Sequence, residues 1–464
     1  MSKPTALKKG LKMRHMTMIS IGGTIGAGLF VGSGAVIAAA GPSSILSYLL
    51  AGILVVFIMR MLGEMAVARP ALGSFAQYAR EALGDWAGFT VGWLYWYFWV
   101  IVVSVEATAG AGILRSWFLP HIPLWILSLI LMVLLTLTNL ISVRSYGEFE
   151  YWFASIKVIA ISLFLIVGFL YIFGFWKGAH LSFHNLAAHD GFLPHGSSAM
   201  FGAIITAVSA FIGAEIATIA AAESNEPERS VAKATSSVIW RVLIFYVGSV
   251  FVVVTIVPWN NTQILKSPYV SVMQALHIPG ISSIMDLIVL VAVLSCLNSG
   301  LYTSSRMLFA LANKGEAPKW FLKVNQRGVP VKAVLFCTVV GFLSIIVSYT
   351  SPDKVFQFLL NSSGAVGLFI YLLIAMSQLR MRRKLEQTEP EILTLKMWTY
   401  PYLTIICILA MAAVLVSMAF MADYRSQLIL SLVSLIVLFI IYLIRAKVIR
   451  NKQVNLHKID QGVD

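Results

Sequence analysis

Long apolar blocks separated by short polar segments run along the whole chain. A helix needs about 20 residues to cross the hydrocarbon core of a bilayer, and twelve blocks reach roughly that length. The pattern therefore predicts an all-α integral membrane protein with about twelve transmembrane helices. The predicted helices cover residues 17–38, 43–68, 87–117, 123–143, 152–175, 198–222, 239–258, 283–312, 331–350, 355–379, 399–420 and 427–446.

Composition favours one membrane bundle over several soluble domains. Apolar residues make up 59% of the 464 residues and charged residues only 12%, whereas soluble globular chains average about 25% charged residues. We therefore treat residues 1–464 as a single transmembrane domain. A cleaved signal peptide is an alternative for the first block, but the apolar run from Met16 to Ala40 exceeds the usual h-region of about 7 to 15 residues.

The net charge of +14 has two competing explanations, a nucleic-acid-binding surface or the cytoplasmic excess of basic residues found in membrane proteins. Most of the 34 basic residues fall in alternate segments, beginning with the amino-terminal one. The predicted external loops hold only Arg115, Lys177, Lys266, Lys354 and Arg425. This alternation predicts that both termini are cytoplasmic, and it leaves no basic patch for nucleic acid.

The first predicted helix contains a glycine-rich interruption. Gly22, Gly23, Gly26 and Gly28 lie within seven residues, and glycine permits the backbone to leave helical geometry. Two interpretations stay open. The segment is unwound and lines a cavity, or the glycines serve close helix packing through G-x-x-x-G pairs.

A second interruption is predicted in the sixth helix, where Gly213 and Glu215 follow Phe211 in the middle of an apolar block. Interrupted helices at corresponding positions of two halves point to a transporter built from inverted repeats, with substrate held at the breaks near the midplane. The amino termini of half-helices offer N–H groups and a positive dipole end to an anion. That environment suits the carboxylate of an amino acid.

Several ionisable side chains fall inside predicted helices, where such groups are costly and are usually functional. Lys157 has two interpretations. Desolvation lets it release a proton and couple transport to protons, or it snorkels to the cytoplasmic interface. Glu106 has no simple structural explanation, and Asn298 is a further polar group within an apolar block. Arg60 and Glu64 are four residues apart on one helix, so we expect them to pair.

Enzymatic function is not expected. The three cysteines fall inside predicted helices, which argues against a disulfide framework or a zinc site. The glycines read G-x-x-G-x-G without a preceding strand, and neither a Walker lysine motif nor H-E-x-x-H occurs. We therefore expect no cofactor.

Seven motifs carry a resemblance to a known family. They are GLKMRH from Gly10, GGTIGAGLFVGSG from Gly22, MRMLGEM from Met59, YGEFEYWFASIKV from Tyr146, AAESNEPERSV from Ala221, SCLNSGLYTSSRM from Ser295 and NSSGAVGLFIYLLIAMSQLRMR from Asn361. From Leu11 to Leu385 the chain resembles the amino acid permeases of the amino acid, polyamine and organocation superfamily, and most closely the 4-aminobutyrate permeases.

The resemblance implies a leucine-transporter-like fold, with inverted five-helix repeats at residues 17–175 and 198–379 and two extra helices at 399–446. It also implies proton-coupled uptake of an amino acid across the plasma membrane by alternating access, with the lipid bilayer and the substrate as the expected partners. Lys157 matches the family's proton-coupling lysine. The predicted substrate-binding residues, taken from the breaks, the polar groups and the resemblance, are Ile25, Gly26, Ala27, Gly28, Glu106, Phe211, Gly213, Glu215, Cys296 and Asn298.

The substrate is less tightly specified than the family. Residues 209–213 read Ser-Ala-Phe-Ile-Gly, where family members more often have Ser-Phe-Met-Gly. The leading candidate is 4-aminobutyrate, and other neutral or aromatic amino acids are the alternatives. An exchanger or a nutrient sensor of the same fold is a further alternative.

Overall fold

The computed structural model describes residues 7, 10–30, 32–117, 120–176, 181–261, 267–277, 280–350, 363 and 365–460. Regular secondary structure in these ranges is helical, and the β-type contact recorded there is a parallel bridge between Leu11 and Ser224. The predicted all-α class is therefore confirmed for this part of the chain.

We number the α-helices in chain order over the described ranges. They are α1 (Met13–Gly22), α2 (Ala27–Phe30), α3 (Gly32–Ala40), α4 (Ser44–Ala68), α5 (Phe75–Leu83), α6 (Asp85–Trp117), α7 (Leu124–Ile141), α8 (Val143–Ile172), α9 (His184–Ala187), α10 (Gly196–Ser209), α11 (Ile216–Ala220), α12 (Pro227–Ser236), α13 (Val238–Arg241), α14 (Gly248–Ile256), α15 (Pro268–Ala275), α16 (Ile281–Asn313), α17 (Val331–Thr350), α18 (Val366–Thr388), α19 (Tyr402–Phe420) and α20 (Ala422–Asp460). Short 3-10 helices lie at Gly41–Ser43, Ala221–Glu223, Lys319–Leu322 and Pro390–Ile392, and a π-helical turn, Val242–Val247, joins α13 to α14.

Eight helical segments of the described chain are long and apolar enough to cross a membrane. They are Gly28–Ala68, Asp85–Trp117, Leu124–Ile141, Val143–Ile172, Pro227–Ile256, Ser283–Asn313, Tyr402–Phe420 and Ala422–Arg450. Shorter apolar helices occur at Gly196–Ser209 and Val331–Val347. The chain is thus a multi-pass membrane protein. Residues 355–362 of the predicted tenth helix lie outside the described ranges.

Several predicted helix boundaries agree closely with the structure, but the tenth helix ends later, at Thr388, and the twelfth is longer, Ala422–Asp460. The fifth begins much earlier than predicted. The predicted helix 152–175 corresponds to α8, which begins at Val143. Its start is set by Ser142, whose Oγ accepts a hydrogen bond of 3.0 Å from the N–H of Ser145, because an N-cap side chain satisfies one of the free amides of a helix start. The polar residues before 152 are therefore helical, and Glu150 lies inside α8.

Small residues let the long helices approach closely. A Cβ added to Gly300 of α16 would lie 2.7 Å from Cγ2 of Val103 and 3.1 Å from the ring of Trp99, both on α6. Helices in a bilayer gain stability from such van der Waals packing, since lipid offers little hydrophobic driving force between them. The α6–α16 contact therefore fixes one wall of the bundle interior.

The predicted Arg60–Glu64 pair is wrong. The carboxylate of Glu64 accepts a hydrogen bond of 2.5 Å from Nη1 of Arg382 on α18 and one of 2.5 Å from the N–H of Met397. Arg60 instead donates from Nε to the carbonyl oxygen of Lys396 at 2.8 Å. Both side chains thus hold the segment between α18 and α19 against α4.

Candidate functional site

Two helices are interrupted inside the apolar bundle, at the positions that the glycine pattern predicts. The first break separates α1, which ends at Gly22, from α2, which begins at Ala27. The second separates α10, which ends at Ser209, from α11, which begins at Ile216. Both predicted interruptions are confirmed as departures from helical backbone.

The two breaks lie directly against each other. Gly213 has a φ of +119°, in the region that favours glycine. A Cβ on Gly23 would lie only 3.0 Å from the carbonyl oxygen of Gly213, and a Cβ on Gly28 would lie 3.3 Å from Cα of Ala210. The glycines therefore interrupt the helices and also let the two unwound backbones touch.

Tyr246 joins the two breaks through its hydroxyl group. It lies in the π-helical turn before α14 and donates to the carbonyl oxygen of Thr24 at 2.8 Å and to that of Ala210 at 3.1 Å. Its ring packs on the predicted site residue Phe211, with 4.2 Å between the ring centroids. Phe211 also meets the ring of Tyr48 on α4, edge to face at 6.1 Å. Tyr246 is not among the predicted site residues, since an isolated tyrosine in an apolar block is common.

Lys157 donates hydrogen bonds to backbone carbonyl groups of the first break. Its side chain is fully buried on α8, and Nζ donates to the carbonyl oxygen of Gly22 at 2.6 Å and to that of Ile25 at 2.8 Å. A third hydrogen bond of 2.7 Å goes to Oγ of Ser295 on α16. The snorkelling interpretation of Lys157 is therefore wrong. A cation near the carboxyl end of α1 is also favoured by the helix dipole.

Glu150 is the buried acid beside Lys157, and it is not among the predicted site residues. The hydroxyl of Ser295 donates to Oε1 of Glu150 at 2.5 Å, and a Cβ on Gly22 would lie 2.0 Å from that same oxygen. Glu150 precedes Lys157 by seven residues, which places the two side chains on one helix face. The seven-residue spacing could have indicated that Glu150 and Lys157 lie together. The helix is predicted to begin only at residue 152, however, which leaves Glu150 outside it.

The other side of the first break is lined by a thiol and a carboxylate. A Cβ added to Gly26 would lie 2.9 Å from Sγ of Cys296 and 3.1 Å from Oε1 of Glu106. Glu106 comes from α6 and Cys296 from α16, and both side chains are buried. The structure therefore brings together three of the predicted site residues. The backbone of Ala27 follows directly as the first residue of α2.

The carboxylate of Glu215 is turned back onto the second break. Both of its oxygens accept from the N–H of Gly213, at 3.0 and 3.1 Å. Oε1 also accepts from the hydroxyl of Tyr95 at 2.9 Å, and Oε2 accepts from that of Tyr371 at 3.1 Å. Because Tyr95 lies on α6 and Tyr371 on α18, this carboxylate ties three segments together.

Asn298 is directed away from the Gly26 environment. It lies two residues after Cys296, and residues at that spacing face different sides of a helix. Its Oδ1 accepts from Nδ2 of Asn139 at 2.8 Å and from Oγ1 of Thr138 at 3.1 Å, both on α7. The structure thus places this predicted residue at a helix contact.

A buried ion pair lies at the end of the bundle at which α1 begins. Nε of Arg306 on α16 donates to Oε1 of Glu223 at 2.9 Å, and the hydroxyl of Tyr302 donates to the same oxygen at 2.8 Å. The backbone N–H groups of Gly10 and Leu11 donate to the carbonyl oxygen of Glu223 at 3.0 and 3.1 Å. The amino-terminal segment is thereby fastened across this end of the breaks.

Two interrupted helices that meet inside a membrane bundle, with buried charges at the breaks, are typical of secondary transporters. Comparison with known proteins agrees with this class. The amino acid permease family matches residues 15–457. The chain belongs to the amino acid permease family, whose members are transporters and not enzymes.

Individual relatives cover almost the whole chain. The gamma-aminobutyric acid permease of Bacillus subtilis is 55% identical over 444 residues, which is 96% of this chain and 94% of the relative. The gamma-aminobutyric acid permease of Escherichia coli is 52% identical over 421 residues, 90% of each chain. The aromatic amino acid transport protein AroP of Corynebacterium glutamicum is 41% identical over 426 residues, 91% of each chain. The resemblance that the motifs indicated is therefore confirmed.

Proposed function

We propose that this chain takes up 4-aminobutyrate across the cell membrane together with a proton, by alternating access. The observation that carries the proposal is the contact of Lys157 with the first break. Its Nζ donates to two break carbonyl oxygens, those of Gly22 and Ile25. An ammonium group has three protons to donate, and three acceptors surround it. Loss of a proton weakens its hold on the break, so proton release and a change of conformation are coupled.

The substrate is proposed to bind beside Gly26. A 4-aminobutyrate molecule carries a carboxylate at one end and an ammonium group at the other. Amides of the unwound segment and the start of α2, from Gly26 to Gly28, suit the carboxylate. Glu106, whose Oε1 approaches the Gly26 position to about the same distance as Cys296 does, suits the ammonium group. The names of the relatives at 52–55% identity support this substrate.

Glu215 is proposed to shape the second break. Its two oxygens already accept from Gly213, Tyr95 and Tyr371. Binding of the substrate's carboxylate beside Glu215 is disfavoured, because the two groups carry the same charge. We therefore assign Phe211 to the wall of the substrate site, and Glu215 to holding that wall in place through the two tyrosines.

Alternating access requires both ends of the bundle to open in turn. We assign the end that holds Glu223 and Arg306 to the cytoplasmic side, because the charge alternation puts the amino terminus there. In the same proposal the chain crosses the plasma membrane twelve times, with both termini cytoplasmic. Residues 17–175 and 198–379 are the two inverted repeats, and residues 399–446 add the last two helices.

Uptake into proteoliposomes tests the proposal. Labelled 4-aminobutyrate is expected to accumulate above the external concentration when the outside is acidic, and an uncoupler should abolish the accumulation. Accumulation that requires Na⁺ and ignores the uncoupler overturns proton coupling. Competition by a panel of unlabelled amino acids tests the substrate, and strong competition by aromatic amino acids without any by 4-aminobutyrate would assign the chain to the substrate class of the AroP relative. Efflux that demands external substrate would indicate an exchanger.

A further inference from the structure

A continuous chain of hydrogen bonds connects Lys157 to a second ionisable group. Nζ of Lys157 donates to Oγ of Ser295 at 2.7 Å, and that hydroxyl donates to Oε1 of Glu150 at 2.5 Å. All three side chains are fully buried. Both distances lie at the short end of the usual range for such bonds. The hydroxyl is thus placed to accept a proton on one side and to pass its own to the other.

We propose that Ser295 and Glu150 form the relay by which the proton of Lys157 leaves toward the cytoplasm. This inference rests on the proposed proton coupling and adds the route. A proton moves from Nζ of Lys157 to Oγ of Ser295, while the hydroxyl proton of Ser295 moves to Oε1 of Glu150. The products are a neutral amine, an unchanged serine and a protonated carboxyl group, so charge and protons balance. Glu150 then gives its proton to water on the cytoplasmic side, and the deprotonated carboxylate can accept a proton again in the next cycle.

The direction of the relay follows from the course of α8. Glu150 precedes Lys157 by seven residues, which is about 10 Å along a helix axis. In the proposed topology α8 begins on the cytoplasmic side, so Glu150 lies between Lys157 and the cytoplasm. Its Oε2 has no hydrogen-bond partner among the residues that the structure describes. In the proposal water reaches the carboxyl group at this second oxygen when the cytoplasmic side opens, and the carboxyl group then releases its proton to that water.

The groups around the relay favour Glu150 as the acceptor. Cys296 on α16 and Glu106 on α6 also lie within electrostatic reach of Lys157. The hydrogen bonds of Nζ go to the carbonyl oxygens of Gly22 and Ile25 and to Oγ of Ser295. Around Glu150, α1 presents the backbone of Gly22, as the close Cβ approach there shows. Beyond Lys157, the neighbouring charged or polar groups around Glu150 are Tyr146 on its own helix and Ser295, Cys296, Asn298 and Ser299 on α16.

The relay also explains why the glycine at the end of α1 faces α8. Because a Cβ on Gly22 would come within 2.0 Å of the Glu150 oxygen, a side chain there would displace the carboxylate from Ser295. The carbonyl oxygen of Gly22 meanwhile accepts from Lys157. One backbone position therefore contacts both ends of the relay, so a movement of the break changes the relay geometry at the same time.

The experiment counts protons and substrate together. Proteoliposomes containing a trapped pH-sensitive dye take up labelled 4-aminobutyrate, and the ratio of protons to substrate is measured for the wild type, Glu150→Gln, Ser295→Ala and Ser295→Thr. We expect Glu150→Gln and Ser295→Ala to lower the ratio at least fivefold, and Ser295→Thr, which keeps a hydroxyl, to restore most of it. The matched controls are Glu148→Gln and Ser155→Ala, on the same helix, and we expect the wild-type ratio for both.

Each other outcome overturns the relay in a distinguishable way. A wild-type ratio in both Glu150→Gln and Ser295→Ala means that the proton takes another route. If Glu150→Gln does not fold or transport, Ser295→Ala decides, because an acid that merely balances the charge of Lys157 leaves Ser295→Ala fully coupled. A wild-type protein that moves substrate without protons overturns both the relay and the proposed coupling.

Discussion

The ammonium group of Lys157 donates a hydrogen bond to the carbonyl oxygen of Gly22, the last residue of α1, across 2.6 Å. That oxygen is one of the orphan acceptors that every helix end leaves. Lys157 thus acts as a side-chain cap for an interrupted helix, and it does so from another helix. A cap that can lose its proton is one whose strength depends on protonation.

Replacing Lys157 by arginine is expected to abolish concentrative uptake. Arginine keeps the positive charge, but it cannot be deprotonated in proteins, so the break cannot be released by proton loss. We expect the internal substrate concentration in proteoliposomes to rise no higher than the external one. Lys332→Arg, at a lysine that lies over the ring of Trp320, is the control and should accumulate substrate as the wild type does. Normal accumulation by Lys157→Arg would show that Lys157 does not need to deprotonate.

Replacing Gly213 by alanine is expected to separate the two breaks. The added Cβ would lie 2.1 Å from the carbonyl oxygen of Gly23, and φ is +119° there. Gly191 is a matched control, since it has a φ of +83° but nothing lies within 4 Å of its Cβ position. Both variants carry backbone strain, whereas only Gly213→Ala adds a clash. We expect uptake to fall at least tenfold in Gly213→Ala and less than twofold in Gly191→Ala. Equal losses of uptake in the two variants would argue against a role for the contact between Gly213 and Gly23.

The sequence predicts most of the bundle and the two breaks, because apolar length and glycine clustering are local signals. It does not predict partners that are distant in the chain. Arg60 and Glu64 satisfy the spacing rule for a pair, yet each bonds to a group more than 300 residues away, at Lys396 and Arg382. Spacing along one helix says which residues share a face, and tertiary packing decides what that face meets.

The candidate site shows the same limit in another form. Gly26 and Glu106 each stand out in an apolar block, Cys296 is predicted from the family resemblance, and the structure brings the three together. Asn298 stands out equally but bonds to α7, because polar residues also serve to join membrane helices. An exception in a pattern thus indicates that a residue has a role, and only the fold distinguishes a binding role from a packing role.

Replacing Glu106 by glutamine is expected to weaken recognition of the substrate's ammonium group. Glutamine keeps the shape beside Gly26 and Cys296 but removes the negative charge. Hydrogen bonds to charged groups contribute about 1.5 to 3 kcal/mol, which corresponds to roughly a 10- to 100-fold rise in KM for 4-aminobutyrate. Butyrate, which lacks the ammonium group, should inhibit Glu106→Gln as well as it inhibits the wild type. An unchanged KM, or an equal loss for butyrate, would place Glu106 outside the ammonium contact.

The last prediction concerns Arg382, whose guanidinium pairs with the buried carboxylate of Glu64 at 2.5 Å. The Arg382 side chain is 8% exposed and that of Glu64 is 2% exposed. Removing one partner of a buried ion pair leaves an uncompensated charge and costs about 3 to 5 kcal/mol. Arg382→Ala should therefore lower the temperature at which detergent-solubilised protein loses its monodisperse elution peak.

Arg229 provides the matched control for this loss. It pairs with Glu226 at 3.4 Å, and the two side chains are 81% and 58% exposed, so Arg229→Ala should cost no more than about 1 kcal/mol. Adding Glu64→Gln to Arg382→Ala removes the unpaired negative charge of Glu64 and should recover part of the stability. Because Glu64 also accepts from the N–H of Met397, the recovery is expected to be incomplete. Equal melting of Arg382→Ala and Arg229→Ala would mean that this pair does not hold the segment between α18 and α19 against α4.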